Sequence, residues 1–96
     1  MTEAQLLTEV LGICRECNVL ASHSYDSRRD YGRGFPDLVC AGKYNVLFAE
    51  LKSLGGKFSS EQIGWKYRLV ACGANYVCWT PRELESGLIE QTLERL

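Results

Sequence analysis

The sequence lacks any apolar stretch approaching the roughly 20 residues that a membrane-spanning helix needs, and it has only 2 prolines among 96 residues. Its first residues show neither the basic segment nor the continuous apolar core of a secretory signal peptide. Internal repeats and low-complexity tracts are also missing. Combined with a hydrophobic content of 46%, these absences predict one packed globular domain over residues 1–96 that does not enter a membrane.

The sequence has five cysteines, an odd number, so they cannot all form disulfide pairs with one another. Cys14 and Cys17 have the spacing of half a zinc site, but no second Cys or His pair follows, and they fall on the apolar side of a predicted helix. We therefore expect buried, reduced thiols and a cytoplasmic location. A thiol-based metal or redox module centred on these two cysteines is an alternative that metal analysis would test.

Periodicity and turn chemistry predict an α/β fold in the order α-β-β-β-α-β, with a further helix at the C-terminus. Capping-box patterns begin the first two helices, and a proline at the first helical position begins the last. The predicted helices cover residues 2–17 and 59–72 and start again at Thr80-Pro81. The predicted strands cover residues 35–41, 45–53 and 76–79, after a short extended piece at residues 18–21.

Three residues of the predicted hairpin carry the most informative chemistry. Side chains alternate along a strand, so Glu50 and Lys52 share one face. If the turn is centred between Lys43 and Tyr44, Asp37 lies opposite Glu50, with about 5 Å between their β-carbons. Two carboxylates at that distance repel each other unless a cation lies between them or one takes up a proton.

This arrangement suits Mg²⁺ and a phosphate. Mg²⁺ prefers carboxylate oxygens and retained waters, and between Asp37 and Glu50 it would offset charge on a scissile phosphate and lower the pKa of a bound water. Lys52 would position that water or offset charge in the transition state. Taken alone, however, so short a pattern favours a simpler interpretation, a surface ion pair of Glu50 with Lys52 and a turn aspartate after Pro36, because such patterns are common.

The surrounding residues resemble the VRR-NUC family of small nucleases in the PD-(D/E)xK superfamily. Residues 34–39 are Gly-Phe-Pro-Asp-Leu-Val, residues 47–53 are Leu-Phe-Ala-Glu-Leu-Lys-Ser, and residues 55–62 are Gly-Gly-Lys-Phe-Ser-Ser-Glu-Gln. Trp65 and a Cys-Gly-Ala at 72–74 follow in the same order. The resemblance extends from Glu3 to Trp79 and implies a restriction-endonuclease-like core, a small mixed sheet flanked by helices.

The resemblance also implies roles for individual residues. Asp37 and Glu50 would bind the metal, the Leu51 backbone carbonyl would add a contact, and Lys52 would be the catalytic lysine. Glu3 matches the family's first-helix acid, although an acid at a helix N-terminus is also favoured by the helix dipole. Gln62 is expected near the active centre, and its alternative role is the capping box with Ser59, each role at a different moment.

Basic residues predict where DNA would bind. Residues 28–68 carry a net charge of +4 and the remainder −5, which together give the total of −1. The near-neutral total therefore hides a basic centre. His23, the single histidine, could touch substrate or be incidental. Trp65, Tyr67 and Trp79 are expected in the core, whereas Tyr25, Tyr31 and Phe35 are weak candidates for stacking on bases. The candidate DNA-binding residues are Arg28, Arg29, Arg33, Lys57, Ser59 and Lys66, with Arg68 a further basic candidate.

The resemblance implies a Mg²⁺- or Mn²⁺-dependent endonuclease that acts as a homodimer on branched DNA such as a Holliday junction. A phage or bacterial origin is implied by the same analogy, and the location would then be the host-cell cytoplasm. Residues 55–62 lack the spacing of a Walker A loop, so no nucleotide cofactor is expected. The alternative function is a DNA-binding module with the same fold that does not cleave.

Overall fold

Four helices and one four-stranded sheet make up the computed structural model over the residues it describes, 1–24 and 32–96. Their order confirms the α/β class and the predicted succession of helices and strands. The helices are α1 (Glu3–Glu16), α2 (Ser60–Ala71), α3 (Pro81–Glu85) and α4 (Leu88–Glu94). The strands are β1 (Leu20–His23), β2 (Leu38–Ala41), β3 (Val46–Leu51) and β4 (Asn75–Trp79).

The sheet is mixed, with its strands in the order β1-β2-β3-β4. Strand β2 pairs antiparallel with β1 and with β3, whereas β3 and β4 run parallel. Leu38 pairs with Ala49 and Val39 with Phe48, which is the register of a turn centred between Lys43 and Tyr44. The predicted hairpin register is therefore confirmed.

Helix α1 is amphipathic and begins at a complete capping box. The Thr2 side chain accepts a hydrogen bond from the Gln5 amide at 3.1 Å, and the Thr2 amide donates to Gln5 Oε1 at 2.8 Å. These two bonds satisfy amides that the first helical turn otherwise leaves without partners. The helix buries Leu6, Val10 and Cys14, which confirms the predicted apolar side.

The core lies between α1, the sheet and α4. Alternate β3 residues Leu47, Ala49 and Leu51 are buried in it, and the opposite strand face carries Phe48 and Glu50. The other members include Trp79 at the end of β4 and Ile89 in α4. This alternation leaves Glu50 on the sheet face away from the apolar core.

Helix α2 differs from the expectation, because none of its residues is buried. Tyr67 was predicted to pack in the core, but 69% of its surface is exposed, so that prediction is wrong. Trp65 is half-buried and packs edge-on against Phe35, with 4.9 Å between ring centroids. Helical spacing correctly predicted the helix but not which of its faces is covered.

The predicted C-terminal helix is two helices instead of one. Helix α3 ends at Glu85 with Ser86 as its C-cap, and Gly87 adopts a left-handed conformation with φ of 83° before α4 begins. A single continuous helix through residue 87 is therefore wrong, because a positive φ interrupts right-handed helical geometry. Leu93 of α4 is buried, as the turn at Gly87 lets the second helix pack on the core.

The cysteines and the helix lengths complete the description of the fold. All five cysteines are free thiols; Cys14 and Cys40 are buried, Cys17 and Cys78 are half-buried, and Cys72 is exposed, so the expected burial holds fully for two of them. The longest helix, α1, has 14 residues, and in the described part of the chain no helix has the length and apolar character needed to cross a membrane.

Candidate active site

The segment before β2 is held against the start of α2 by a close backbone approach at Gly34. Gly34 has a φ of 82°, and a β-carbon there would lie 2.6 Å from the Gln62 amide nitrogen and overlap the Glu61 carbonyl carbon. Only glycine satisfies both the positive φ and the missing space. The motif glycine therefore fixes the segment that carries Asp37 beside the helix that carries Gln62.

Asp37 is the residue immediately before β2. Its Oδ2 accepts a hydrogen bond from the Leu51 amide at 2.8 Å, and its carbonyl accepts one from the Ser24 amide at 3.1 Å. Continuing the β2–β3 register by one residue brings Asp37 alongside Glu50. The structure thus brings the two predicted carboxylates together. Leu51 contacts Asp37 through its amide, and the metal-binding role of its carbonyl stays a prediction.

Glu50 is the buried charged residue of the described fold, with 1% of its surface exposed. Its Oε2 accepts a hydrogen bond from Gln62 Nε2 at 2.9 Å, whereas Oε1 is buried without a hydrogen-bond donor among the residues described. Burial, followed by the negative charge of Asp37, raises the pKa of Glu50 to about 8,. The site therefore favours either a proton or a cation at this carboxylate.

Gln62 connects two charged side chains, that of Glu50 in β3 and that of Lys52 directly after the strand, to the N-terminal cap of α2. Its Oε1 accepts from Lys52 Nζ and from the Ser59 amide, both at 2.9 Å, while its Nε2 donates to Glu50. The Ser59 side chain accepts from the Gln62 amide at 3.1 Å. The capping role and the site contacts were expected at different moments, but the structure shows them together. The cap thereby fixes the orientation of the Gln62 amide.

Lys52 lies beside an aromatic ring as well as beside Gln62. Its Nζ is 5.3 Å from the centroid of the Phe58 ring, and Lys66 Nζ is 5.4 Å from the same centroid. Such distances are typical of cation–π contacts. Both ammonium groups therefore contact one ring, and Lys52 is also joined through Gln62 to Glu50.

A cavity of about 230 Å³ adjoins Asp37 on the side of α1. Glu3 and His23 line it together with Leu7 and Leu51, so the predicted first-helix acid and the single histidine both face the neighbourhood of Asp37. Within residues 1–24 and 32–96, however, no group of three or more His, Cys, Asp or Glu side chains is close enough to hold a metal ion. The structure does not add Glu3 to the pair of carboxylates as a third ligand, and its metal-binding role stays a prediction.

The candidate DNA-binding residues are only partly described. Arg28 and Arg29 lie outside the described residues, as do the stacking candidates Tyr25 and Tyr31. Arg33 and Lys57 are exposed, as are Ser59 and Arg68, and Lys66 is half-buried. Phe35 packs edge-on against Phe48 and Trp65, so its ring is held by protein contacts.

Sequence reasoning did not single out Phe58 or Tyr76 as neighbours of the site. Phe58 directly precedes the capping residue Ser59, and an aromatic side chain at that position was a signal that residue spacing alone does not capture. Tyr76 pairs with Phe48 in the sheet; burial, and next the charge of Glu50, raise the pKa of its hydroxyl. The register between two parallel strands cannot be predicted from the sequence, which is why Tyr76 was not identified.

Comparisons with protein-family models, with curated proteins and with solved structures found no match. Assignment to a family therefore stays a proposal that depends on the motif residues and on the geometry that they adopt.

Proposed function

We propose that this protein is a metal-dependent deoxyribonuclease that hydrolyses phosphodiester bonds and has a restriction-endonuclease-like core. The observation that carries the proposal is the buried Oε1 of Glu50, which has no donor among the described residues and lies beside a second carboxylate, Asp37. A carboxylate pair in this situation needs a proton or a cation. Near neutral pH, a divalent cation is the partner that also provides catalytic chemistry.

The donor set fits Mg²⁺ or Mn²⁺. Asp37 and Glu50 offer hard carboxylate oxygens, and Mg²⁺ in phosphate-processing sites is usually bound by one or two carboxylates, with waters and substrate phosphate completing its shell. A pair of carboxylates with no third His, Cys, Asp or Glu side chain grouped with it among the described residues is consistent with that mode. When bound, the cation would supply charge neutralisation at the scissile phosphate and lower the pKa of a coordinated water.

The residues of the chain perform the positioning. The Leu51 amide holds one oxygen of Asp37, and the Gln62 amide orients Glu50 and Lys52 relative to each other. Lys52 either positions the attacking water or offsets negative charge that develops on the phosphate. Because Gln62 is fixed by the cap of α2, the lysine and the carboxylate are oriented before substrate binds.

DNA is the substrate that the charge distribution favours. Residues 28–68 contain the carboxylates and have a net charge of +4, so the segment around the site attracts phosphates even though the whole chain does not. The resemblance to VRR-NUC nucleases adds branched DNA such as a Holliday junction as the preferred substrate and a homodimer as the active form. The acids and the lysine are all present, which favours cleavage over the alternative of a DNA-binding module that does not cleave.

Incubation with linear, flapped and four-way DNA, with Mg²⁺ or Mn²⁺ or with EDTA, tests the proposal. Asp37→Asn keeps an oxygen that can accept the Leu51 amide but removes the charge, and Lys52→Ala removes the ammonium group. We expect metal-dependent cleavage that both substitutions abolish. Lys43→Ala, which removes an exposed lysine from the β2–β3 turn, is the matched control and should leave cleavage unchanged. Cleavage in EDTA, or full activity of both site variants, would contradict the mechanism.

A further inference from the structure

Phe58 has a position that core packing does not explain. It precedes the N-cap residue Ser59, is half-buried, and is absent from the hydrophobic core cluster and from the apolar residues packed against that cluster. An aromatic side chain gains most of its stabilising energy by burying its ring in a core. The position of the Phe58 ring is therefore explained by its contacts with groups outside the core.

Those contacts are the two ammonium groups of Lys52 and Lys66, at 5.3 and 5.4 Å from the ring centroid. The face of an aromatic ring carries partial negative charge, so it attracts each ammonium group. Lys52 also donates to Gln62 Oε1 at 2.9 Å. The lysine is thus held from two sides, by an amide oxygen and by an aromatic face.

We propose that Phe58 is a positioning residue that holds the catalytic ammonium of Lys52 near Glu50 and holds a second ammonium, that of Lys66, at the same ring. This inference depends on the proposed nuclease function and deepens it, because it names what orients the catalytic lysine. A four-carbon lysine side chain is flexible, and a single hydrogen bond leaves much of its rotational freedom. The ring removes part of that freedom without neutralising the charge.

The second ammonium contacts the same ring as the catalytic lysine. Cys78 pairs with Glu50 across β3 and β4, and the charges of both Lys66 and Lys52 act on its thiol. Like charges repel each other, and contact with the ring offsets part of that repulsion. We therefore expect Lys66 to bind substrate phosphate close to Lys52, in a position that depends on Phe58.

Comparison of Phe58→Leu with Phe58→Tyr tests the proposal. Leucine keeps apolar bulk but lacks an aromatic face, whereas tyrosine keeps the face. We expect Phe58→Leu to lower kcat for DNA cleavage by about five- to thirtyfold, the range available to a cation–π contact of this kind, and to raise KM through Lys66. We expect Phe58→Tyr to stay near the wild-type kcat. Lys66→Met should raise KM and leave kcat near the wild-type value.

An NMR measurement that does not depend on enzymatic activity tests the contact between Phe58 and the two lysines. In the wild-type protein the ring current of Phe58 should shift the ε-methylene protons of Lys52 and Lys66 upfield in a proton–carbon NMR spectrum, and in Phe58→Leu these signals should return towards ordinary lysine positions. Lys52→Met and Lys66→Met assign the two signals. Thermal unfolding of each variant shows whether the fold is retained.

The outcomes separate this inference from the proposed function. If the wild type cleaves DNA and Phe58→Leu is equally active, or Phe58→Tyr is as impaired as Phe58→Leu, the positioning role is wrong while the nuclease function stands. If the wild type cleaves nothing, the nuclease function is wrong. The NMR shifts test the contact directly. Unchanged lysine signals in Phe58→Leu would show that the ring does not hold the two lysine side chains.

Discussion

Replacing Glu50 by glutamine should make the metal-free protein more stable at pH 8. The substitution keeps the shape of the side chain and the oxygen that accepts from Gln62, but removes the buried charge beside Asp37. It also supplies an amide donor towards that second carboxylate. A buried, repelled carboxylate is costly to ionise, so its neutral isostere should be favoured in the fold.

The magnitude follows from the raised pKa of Glu50. The pKa is about 8 in the folded protein against an ordinary value of 4.5. Between these values the folded state holds a proton that the unfolded state has released, so the stability of the metal-free protein falls as pH rises from 4.5 to 8. Below pH 4.5 both states are protonated and the difference disappears. A shift of this size corresponds to an upper bound on the order of 4 kcal/mol at pH 8.

Urea unfolding in EDTA at pH 5 and pH 8, followed by circular dichroism, measures the effect. We expect the wild type to lose stability between the two pH values and Glu50→Gln to lose much less. Adding Mg²⁺ at pH 8 should restore stability to the wild type and do little for the variant. Glu9→Gln, at an exposed position on α1, is the matched control. Equal pH dependence of Glu50→Gln and the wild type would refute the reasoning.

Three further substitutions test how the site is built, each by urea unfolding. Gln62→Leu should lower the free energy of unfolding by about 1–3 kcal/mol, because it leaves Glu50 and Lys52 without their shared partner. Gln5→Leu, which breaks a capping box without site contacts, should lower it by only about 1 kcal/mol. Equal losses in the two variants would contradict the bridging role of Gln62. Gly34→Ala should destabilise more than Gly73→Ala, because both have a positive φ but open space surrounds only Gly73,. Gly64→Ala, within α2 with space around it, should stabilise by about 0.5–1 kcal/mol, and a loss there would mean that the helix surface is covered.

Local chemistry made much of the fold predictable. The capping boxes that begin α1 and α2 were correct to the residue, because a hydroxyl and an amide three residues apart satisfy the same backbone groups wherever they occur. The hairpin register was correct because the turn residues between β2 and β3 fix the pairing. That register alone was sufficient to bring Asp37 beside Glu50.

Features that depend on tertiary packing were less predictable. Helical spacing gives the same pattern whether a face is buried by its own domain or left exposed, so the exposure of Tyr67 could not be inferred from periodicity. The turn at Gly87 was missed because a glycine within a helical pattern is often tolerated. The contact of Phe58 with two lysines depends on how the start of α2 packs against the sheet, which sequence spacing does not specify.

The most direct test of the central claim is the rate at which the purified wild type cleaves a four-way DNA junction as Mg²⁺ is titrated, with Asp37→Asn measured in parallel. We predict cleavage that rises with Mg²⁺ concentration, stops in EDTA and is lost in Asp37→Asn while the variant remains folded. Cleavage that is independent of metal, or that persists in Asp37→Asn, would contradict the assignment of Asp37 and Glu50 as a metal-binding catalytic pair.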